Sequence, residues 1–315
     1  MSDLTALAID LGGSHAACAV VRGDTIIARR DVLADGASDL GDLLPALRET
    51  LFDLLKAAGI MCTECSAVVL GFCGIVSTRE KRVLATNKKF DDAPRLDLDA
   101  YFKGAFGLPF LLENDARLAL LGEHRFGAAR GTPDAVMVTL GSGIGGAALL
   151  NGRLLQSRHG LAGTIGGHLP VVLNGRLCSC GNLGCAEAEA STVFLPAIYR
   201  QQPNSKAGVL HAKRAIGFAE LFEASDAGDA AAVAALEHCL DVWSALTVAL
   251  IHAYDPEVVV FGGSVLKRDH EILPRLQKFV NAHAWTCGRH VPLKTATLGS
   301  SAALLGAIPL LECSL

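Results

Sequence analysis

Apolar and polar positions along this chain follow two periods, and the places where the period changes mark its elements. Residues 4–10 are an apolar run ending in an acid and then Gly12-Gly13, while 16–21 and 25–29 flank the turn Arg22-Gly23-Asp24. That pattern predicts strand, tight turn, strand, hairpin. Leu43, Leu44, Leu47, Leu51, Leu54 and Leu55 recur at helical spacing, with Asp42 as the expected N-cap, Pro45 in the first turn and Gly59 as the stop. Short apolar strands follow at 67–70 and 110–112, the second running into Glu113-Asn114-Asp115 and a helix over 116–126.

The same order restarts at residue 135: an apolar strand over 135–140, a glycine-rich turn over 141–146, a strand over 147–150 and a turn at Asn151-Gly152. A repeated strand, glycine turn, strand unit predicts two similar α/β domains facing a cleft. A cysteine-rich loop at 178–185, a long helix at 230–254, a strand at 258–261 entering Gly262-Gly263 and helices near 272–284 and 302–310 complete the chain. No Pro/Ser-rich linker marks a boundary, so the hinge is expected inside structured elements.

Composition narrows the class. Of 315 residues, 51% are hydrophobic, only 5% aromatic and 33 are glycine, a mixture of globular α/β enzymes. The net charge is −4 with scattered basic residues, which excludes an electrostatic footprint for nucleic acid or an anionic membrane and favours a small-molecule partner. The N-terminal residues lack a signal-peptide pattern, so a cytoplasmic protein is expected. The apolar segment 230–254 carries Glu237, His238 and Asp241, which makes it a buried helix and not a membrane span. Ten cysteines point to free thiols plus a metal site.

Candidate chemistry gathers at the turns. Asp10, Gly12, Gly13 and Ser14 set a carboxylate beside glycines that let backbone N–H groups approach an anion, which suits magnesium and phosphate. Magnesium keeps several waters, so Asp10 is expected to hold it through water; a plain hairpin turn is the competing reading. Residues 139–146 contain four glycines and two hydroxyls, among them Gly141, Ser142, Gly143 and Gly145. A strand follows them, so they form neither a dinucleotide fingerprint nor a Walker loop, and a phosphate clamp between strands fits better. Gly262-Gly263 offers bare backbone to a nucleotide base or ribose. Asp115 opens a helix at a strand end, where it serves either as general base or, with Asn114 as the alternative, as N-cap. His168, Cys178, Cys180 and Cys185 place an imidazole and three thiolates within 18 residues, a tetrahedral structural zinc set with no open position. Cys62 and Cys65 lack a second pair and read as ordinary thiols.

Taken in order, these motifs resemble the ROK family of bacterial sugar kinases, across nearly the whole chain. The resemblance rests on 10–14, Gly71-Phe72-Cys73-Gly74-Ile75-Val76, Glu113-Asn114-Asp115, 140–146, 166–185 and Asp255-Pro256 through Gly262-Gly263. It implies an actin-like, ribonuclease-H-like two-domain fold with ATP and sugar in the interdomain cleft, residues 1–117 plus 300–315 as the smaller domain and 118–299 as the larger. It implies that Asp115 deprotonates the sugar 6-hydroxyl for attack on Mg-ATP, that Asn114 holds a neighbouring hydroxyl, and that Gly74, Asn87, His168 and Glu187 line the sugar pocket. A homodimer, a structural Zn2+ and, as the alternative to a kinase, a silent cytoplasmic sugar binder also follow from it. A DNA-binding repressor does not fit, because a strand starts at Leu4. The family's Ala-Gly-Glu-Ile/Leu-Gly-His segment stands here as Ala162-Gly163-Thr164-Ile165-Gly166-Gly167-His168, one residue longer and without its glutamate. Cys73 replaces a usual proline and Ser264 a third glycine, so the sugar itself is left open.

Overall fold

A computed structural model describes residues 3–13, 15–34, 38–86 and 89–314; Ser14 and Asn87 lie outside the described residues. The chain forms two compact units, Met1–Gly131 with Leu154–Thr164 and Thr297–Leu315, and Thr132–Arg153 with Ile165–Ala296. The boundary expected at 117/118 falls within the helix that follows Asn114. The structure keeps that helix whole in the first unit, where its Arg117 and Glu123 are buried.

In the first unit β1 (Thr5–Leu11), β2 (His15–Arg22) and β3 (Thr25–Leu33) form the expected antiparallel meander. β4 (Ala67–Phe72) runs parallel to β1, a small hairpin of β5 (Ile75–Ser77) and β6 (Arg82–Ala85) follows, and β7 (Phe110–Asn114) runs parallel to β4. The sheet order is β3-β2-β1-β4-β7. β4 is buried at every residue, as a central parallel strand must be, whereas the edge strand β3 is mostly wet. Helix α1 (Leu40–Ala58) buries its leucine stripe and stops at Gly59, whose φ of 66° needs glycine. It begins two residues before the expected Asp42: its first amides, Leu40 and Gly41, donate to the Asp92 carboxylate at 2.7 and 2.8 Å. A distant acid supplies the cap. Helix α2 (Leu98–Phe106) stacks Phe102 on Phe110 of β7 at 5.0 Å.

Helix α3 (Asp115–Phe126) carries two fully buried charged residues, Arg117 and Glu123. Glu123 accepts the amides of Ala128 at 2.7 Å, Thr297 at 3.2 Å and Leu298 at 2.8 Å, and so joins the end of α3 to the distant segment that returns to this unit. Several N–H donors around one carboxylate offset the cost of burying it.

The second unit repeats the plan. β8 (Ala135–Leu140), β9 (Ile144–Leu150) and β10 (Arg153–Leu154) lie beside β11 (Val258–Gly262) and β12 (Leu293–Thr295) in the order β10-β9-β8-β11-β12, with β11 parallel to both β8 and β12. The echo read from two glycine turns extends to whole sheets. Its helices are α4 (Ala186–Ala190), α5 (Leu195–Arg200), α6 (Phe218–Asp226), α7 (Ala230–Tyr254) and α8 (Asp269–His283). By length and composition α7 could cross a membrane, but 61% of its most apolar stretch is buried within the protein. Its Trp243 is fully buried and donates its indole N–H to Ala190 O at 3.1 Å, the contact of a core helix.

The chain closes with α9 (Ala302–Glu312), packed on α3 of the first unit. The two backbones approach closely because both helices present glycine: a Cβ on Gly122 would collide with Ala302 O, and one on Gly306 with Leu118 O. Gly306→Ala is therefore expected to destabilise the protein by about 1–3 kcal/mol, despite alanine's higher helix propensity. Urea unfolding checks this; a stabilised Gly306→Ala protein would show that the crossing tolerates a methyl group.

Candidate functional site

The parallel strands β1, β4 and β7 end side by side, with Asp10 opposite Gly71 and Phe72 opposite Asn114. Gly71 is needed there, because a Cβ would lie 2.9 Å from the Leu118 side chain. At the end of β7 the choice between two helix caps is resolved: Asn114 Oδ1 accepts the Arg117 amide at 3.2 Å, and Asp115 is the first residue of α3. Asn114 Nδ2 donates to Gly74 O at 3.1 Å and to Asp115 Oδ1 at 2.9 Å, and Asp115 Oδ1 also accepts the Ala116 amide at 2.9 Å. The structure thus brings Gly74, Asn114 and Asp115 together through one side-chain amide.

Burial pushes Asp115 up to about 6, opposed by the amides of Ala116 and Asp115 itself and by the Asn114 side chain. Asp10 rises to about 7, chiefly by burial and then by the negative charge of Asp115, with Arg29 opposing. Two carboxylates sharing one poorly solvated site resist ionising together. Cys73 stands in the same field: burial, Asp115 and Asp10 push its thiol up to about 12, and Lys89 opposes. Lys89 also donates to Gly13 O and, at 3.0 Å, to Ala34 O, so a cation sits against the Asp10 to Gly13 turn.

Sequence reasoning missed what lies beneath this site. Glu113 and Arg117, with side-chain exposures of 0% and 1%, form an ion pair at 3.1 Å. Glu113 also accepts from Thr78 Oγ1, Gln156 Nε2 and the Asn114 amide, each at 2.9 Å. Arg117 Nη2 donates to the carbonyls of Leu155 at 2.9 Å and Ala162 at 2.5 Å. The four-residue spacing of acid and base was the available signal, hidden because the pair spans a strand-to-helix junction. In the segment lacking the family glutamate, the Thr164 hydroxyl is turned back on Leu161 O at 3.0 Å and Gly160 O at 3.3 Å.

In the second unit the glycine turn reduces to Gly141-Ser142-Gly143, closed by Gly141 N–H to Gly143 O at 3.0 Å. Gly145 lies inside β9, paired with Thr139, and is a strand residue where the sequence reading set a turn. Gly262 ends β11, and Gly263, at φ 98°, fits against Leu140 O where a Cβ would collide. Gly141, Ser142, Gly143, Gly262 and Gly263 therefore meet at the ends of β8 and β11. Glu187 is nearly buried on α4, and its carboxylate accepts the Ile144 amide at 3.0 Å and lies 3.4 Å from Ser179 Oγ. A Cβ on Gly143 would stand 2.5 Å from Glu187 Oε2, so a larger residue there would displace the carboxylate from the Ile144 amide. Glu187 and His168 belong to the second unit, and Gly74, Asn114 and Asp115 to the first.

The donor atoms of His168, Cys178, Cys180 and Cys185 all lie within 4.8 Å of one another. His168 Nδ1 is 3.5 Å from Cys178 Sγ, and Cys180 Sγ is 3.6 Å from Cys185 Sγ. A tetrahedron with metal–sulfur bonds of about 2.3 Å has edges of about 3.8 Å, so the cluster has the size of a zinc site. Gly181 and Gly184, at φ 88° and 68°, supply its turns. Arg176 and His238 both contact the buried Glu189, which anchors the loop on α4 and α7.

A family model described as "ROK family" matches residues 6–313. A glucokinase of Thermotoga maritima is 32% identical over 291 residues, spanning 89% of this chain and 89% of that one. An N-acetylmannosamine kinase of Citrobacter koseri is 33% identical over 263 residues, 83% of this chain and 84% of its own. Among solved structures, a ROK family glucokinase from Streptomyces griseus in complex with glucose and AMPPNP aligns with a TM-score of 0.78 and 28% identity, over 97% of this chain and 98% of that one.

The raised Asp10 fixes the sign of a stability effect. Protonated Asp10 stabilises the fold below the ordinary carboxylate range, and that contribution is lost as pH rises through about 7. Asp10→Asn, measured without magnesium or nucleotide, is expected to gain in melting temperature progressively from about pH 4 to pH 7 and to level off above. A gain independent of pH, or a loss at pH 8, would contradict the placement of Asp10 beside Asp115.

Proposed function

We propose a specific reaction for this chain, which belongs to the ROK family and is a sugar kinase: transfer of the γ-phosphoryl group of Mg-ATP to the 6-hydroxyl of a hexose or N-acetylhexosamine, with Asp115 as general base. The observation that carries this reading is the state of Asp115. Asn114 takes the capping role, one oxygen of Asp115 is held by two N–H donors, and burial lifts the carboxylate to about 6. A base tuned toward neutrality accepts a hydroxyl proton more readily than an ordinary aspartate does.

In this reaction the sugar oxygen forms a bond to the γ-phosphorus while its proton passes to Asp115, and the bond to the bridging oxygen breaks with its electron pair leaving on ADP. Phosphoryl transfer needs positioning and charge stabilisation more than covalent chemistry. Bound magnesium would supply neutralising charge to the phosphates, and Asp10 is the carboxylate that would hold it. The Asp10 to Gly13 turn and the Gly141-Ser142-Gly143 turn with Gly262-Gly263 serve as nucleotide-binding elements, and Gly74, Asn114, His168 and Glu187 as sugar-binding ones. Neither Thr164 nor Ile165 supplies a carboxylate, so a sugar with altered substitution at C1 or C2 is favoured. The reaction is assigned to the cytoplasm.

His168 Nδ1, Cys178, Cys180 and Cys185 would hold a structural Zn2+ with no open position. Cys185 is followed two residues later by Glu187, which receives the Ile144 amide, so the ion would fix both the loop and the phosphate turn.

ADP release measured across glucose, N-acetylglucosamine, N-acetylmannosamine, mannose, fructose and allose tests the reaction, with phosphorus-coupled NMR locating the new phosphate on O6. Asp115→Asn is expected to lose about 10²–10⁴-fold in kcat for the sugar that reacts best. Absence of ADP above the Asp115→Asn background for every sugar would leave the silent binder as the better reading. For the metal, apparent binding of about 10–16 kcal/mol is comparable to the whole stability of a domain. Stripping it should sharply lower the melting temperature, with one zinc recovered per chain. Metal-free protein that melts like the parent would remove the zinc assignment.

A further inference from the structure

The buried guanidinium of Arg117 has no part in the reaction as written, yet it reaches carbonyls 38 and 45 residues away. Its Nη1 meets Glu113, and its Nη2 reaches two backbone carbonyls, those of Leu155 and Ala162, at the two ends of one loop. Gln156 of the same loop donates to Glu113. Inside the loop Gly160 N–H donates to Ser157 O at 3.0 Å, and Gly160, at φ 74°, fits against Val76 O of β5 where a Cβ would collide. Val76 lies two residues beyond Gly74, whose carbonyl holds Asn114 and, through it, Asp115. The loop is thus docked on the same chain segments that orient the proposed base. Arg117 Nε–H finds no partner among the described residues, so the group's hydrogen bonds are those of Nη1 to Glu113 and Nη2 to the loop.

We infer that Arg117 is a positioning residue that sets sugar selectivity, by clamping both ends of the Leu155–Ala162 loop against the strand end that carries Asn114 and Asp115. The inference rests on the kinase reading above. A loop without secondary structure is ordered at the ends by one planar donor fork, and the next residues are Gly163 and Thr164, whose hydroxyl is consumed inside the loop. With the Thr164 hydroxyl turned inward and no carboxylate offered there, the loop would act on the sugar through its backbone shape, beside the sugar-binding residues proposed above. A buried charge suits the task because a shift would take its counter-charge from the buried Glu113 carboxylate. Lysine cannot reproduce it, since a point charge does not bridge two carbonyls and a carboxylate in one plane.

Two variants test this, chosen because removing one buried charge alone endangers folding: Arg117→Lys, and the neutral pair Glu113→Gln with Arg117→Met. Hydrogen exchange of the 155–164 amides, which does not depend on activity, is expected to accelerate by about tenfold or more in both while the strands of either sheet keep their protection. In steady state the sugar KM is expected to rise by about tenfold or more, with the ranking of sugars altered and the KM for ATP within about twofold of the parent. Folded variants whose loop exchange and sugar ranking match the parent overturn the inference. So does an equal loss for every sugar and for ATP, which marks a merely structural role. A parent that phosphorylates no sugar defeats the kinase reading instead, and the exchange comparison still decides whether Arg117 clamps the loop.

Discussion

Two charges buried along one helix hold this protein's first unit in its working shape. At the start of α3 the guanidinium of Arg117 pairs with Glu113 and binds the loop ends at Leu155 and Ala162; at its end Glu123 gathers the amides of Ala128, Thr297 and Leu298. Breaking the buried Arg117–Glu113 pair by removing one partner costs about 3–5 kcal/mol, and stripping amides from the buried Glu123 would leave a charge without its donors. Between these anchors Gly122 lets α9 approach closely. Asp115 is placed by the same arrangement, as the first residue of a helix held at both ends.

That rigidity explains how the site tolerates its electrostatics. Burial raises the proton affinity of both Asp10 and Asp115, the charge of Asp115 raises that of Asp10 further, and a loosely held site would relax by separating them. Here the strand register fixes Asp10 opposite Gly71, and the Asn114 amide fixes Asp115. In the proposed reaction a divalent cation beside these carboxylates would offset their repulsion. In the second unit Glu187 joins the Cys/His loop to the glycine turn in the same way, by a buried carboxylate on a backbone amide.

Much of this was legible in the sequence because it is local. Strand, glycine turn and strand are neighbours in the chain, and so are the four donors of the Cys/His cluster, whose spacing needed only a tight loop to bring them within 4.8 Å. The contacts that escaped are those whose partners are remote or carry no side-chain identity. Arg117 binds carbonyls 38 and 45 residues away, and any residue has a carbonyl. Asp92 caps α1 from 52 residues away, which made the local Asp42 look sufficient. Gly145 was read as part of a turn because glycine in a sequence does not say whether it opens a turn or lies in a strand. The choice between Asn114 and Asp115 as cap was undecidable from residue type, since both side chains cap well, and only the three-dimensional hydrogen bond to the Arg117 amide separated them.

What matters most for the proposed reaction is that this frame delivers Asp115 with a raised pKa. The most direct measurement is kcat/KM for the sugar as a function of pH, which reports the protonation of the enzyme before the sugar binds. Its value is predicted to climb with pH as Asp115 loses its proton, with a midpoint near 6, and to reach a plateau that vanishes in Asp115→Asn. A value that is flat across this range, or an Asp115→Asn protein that keeps the parent's value and profile, would contradict it.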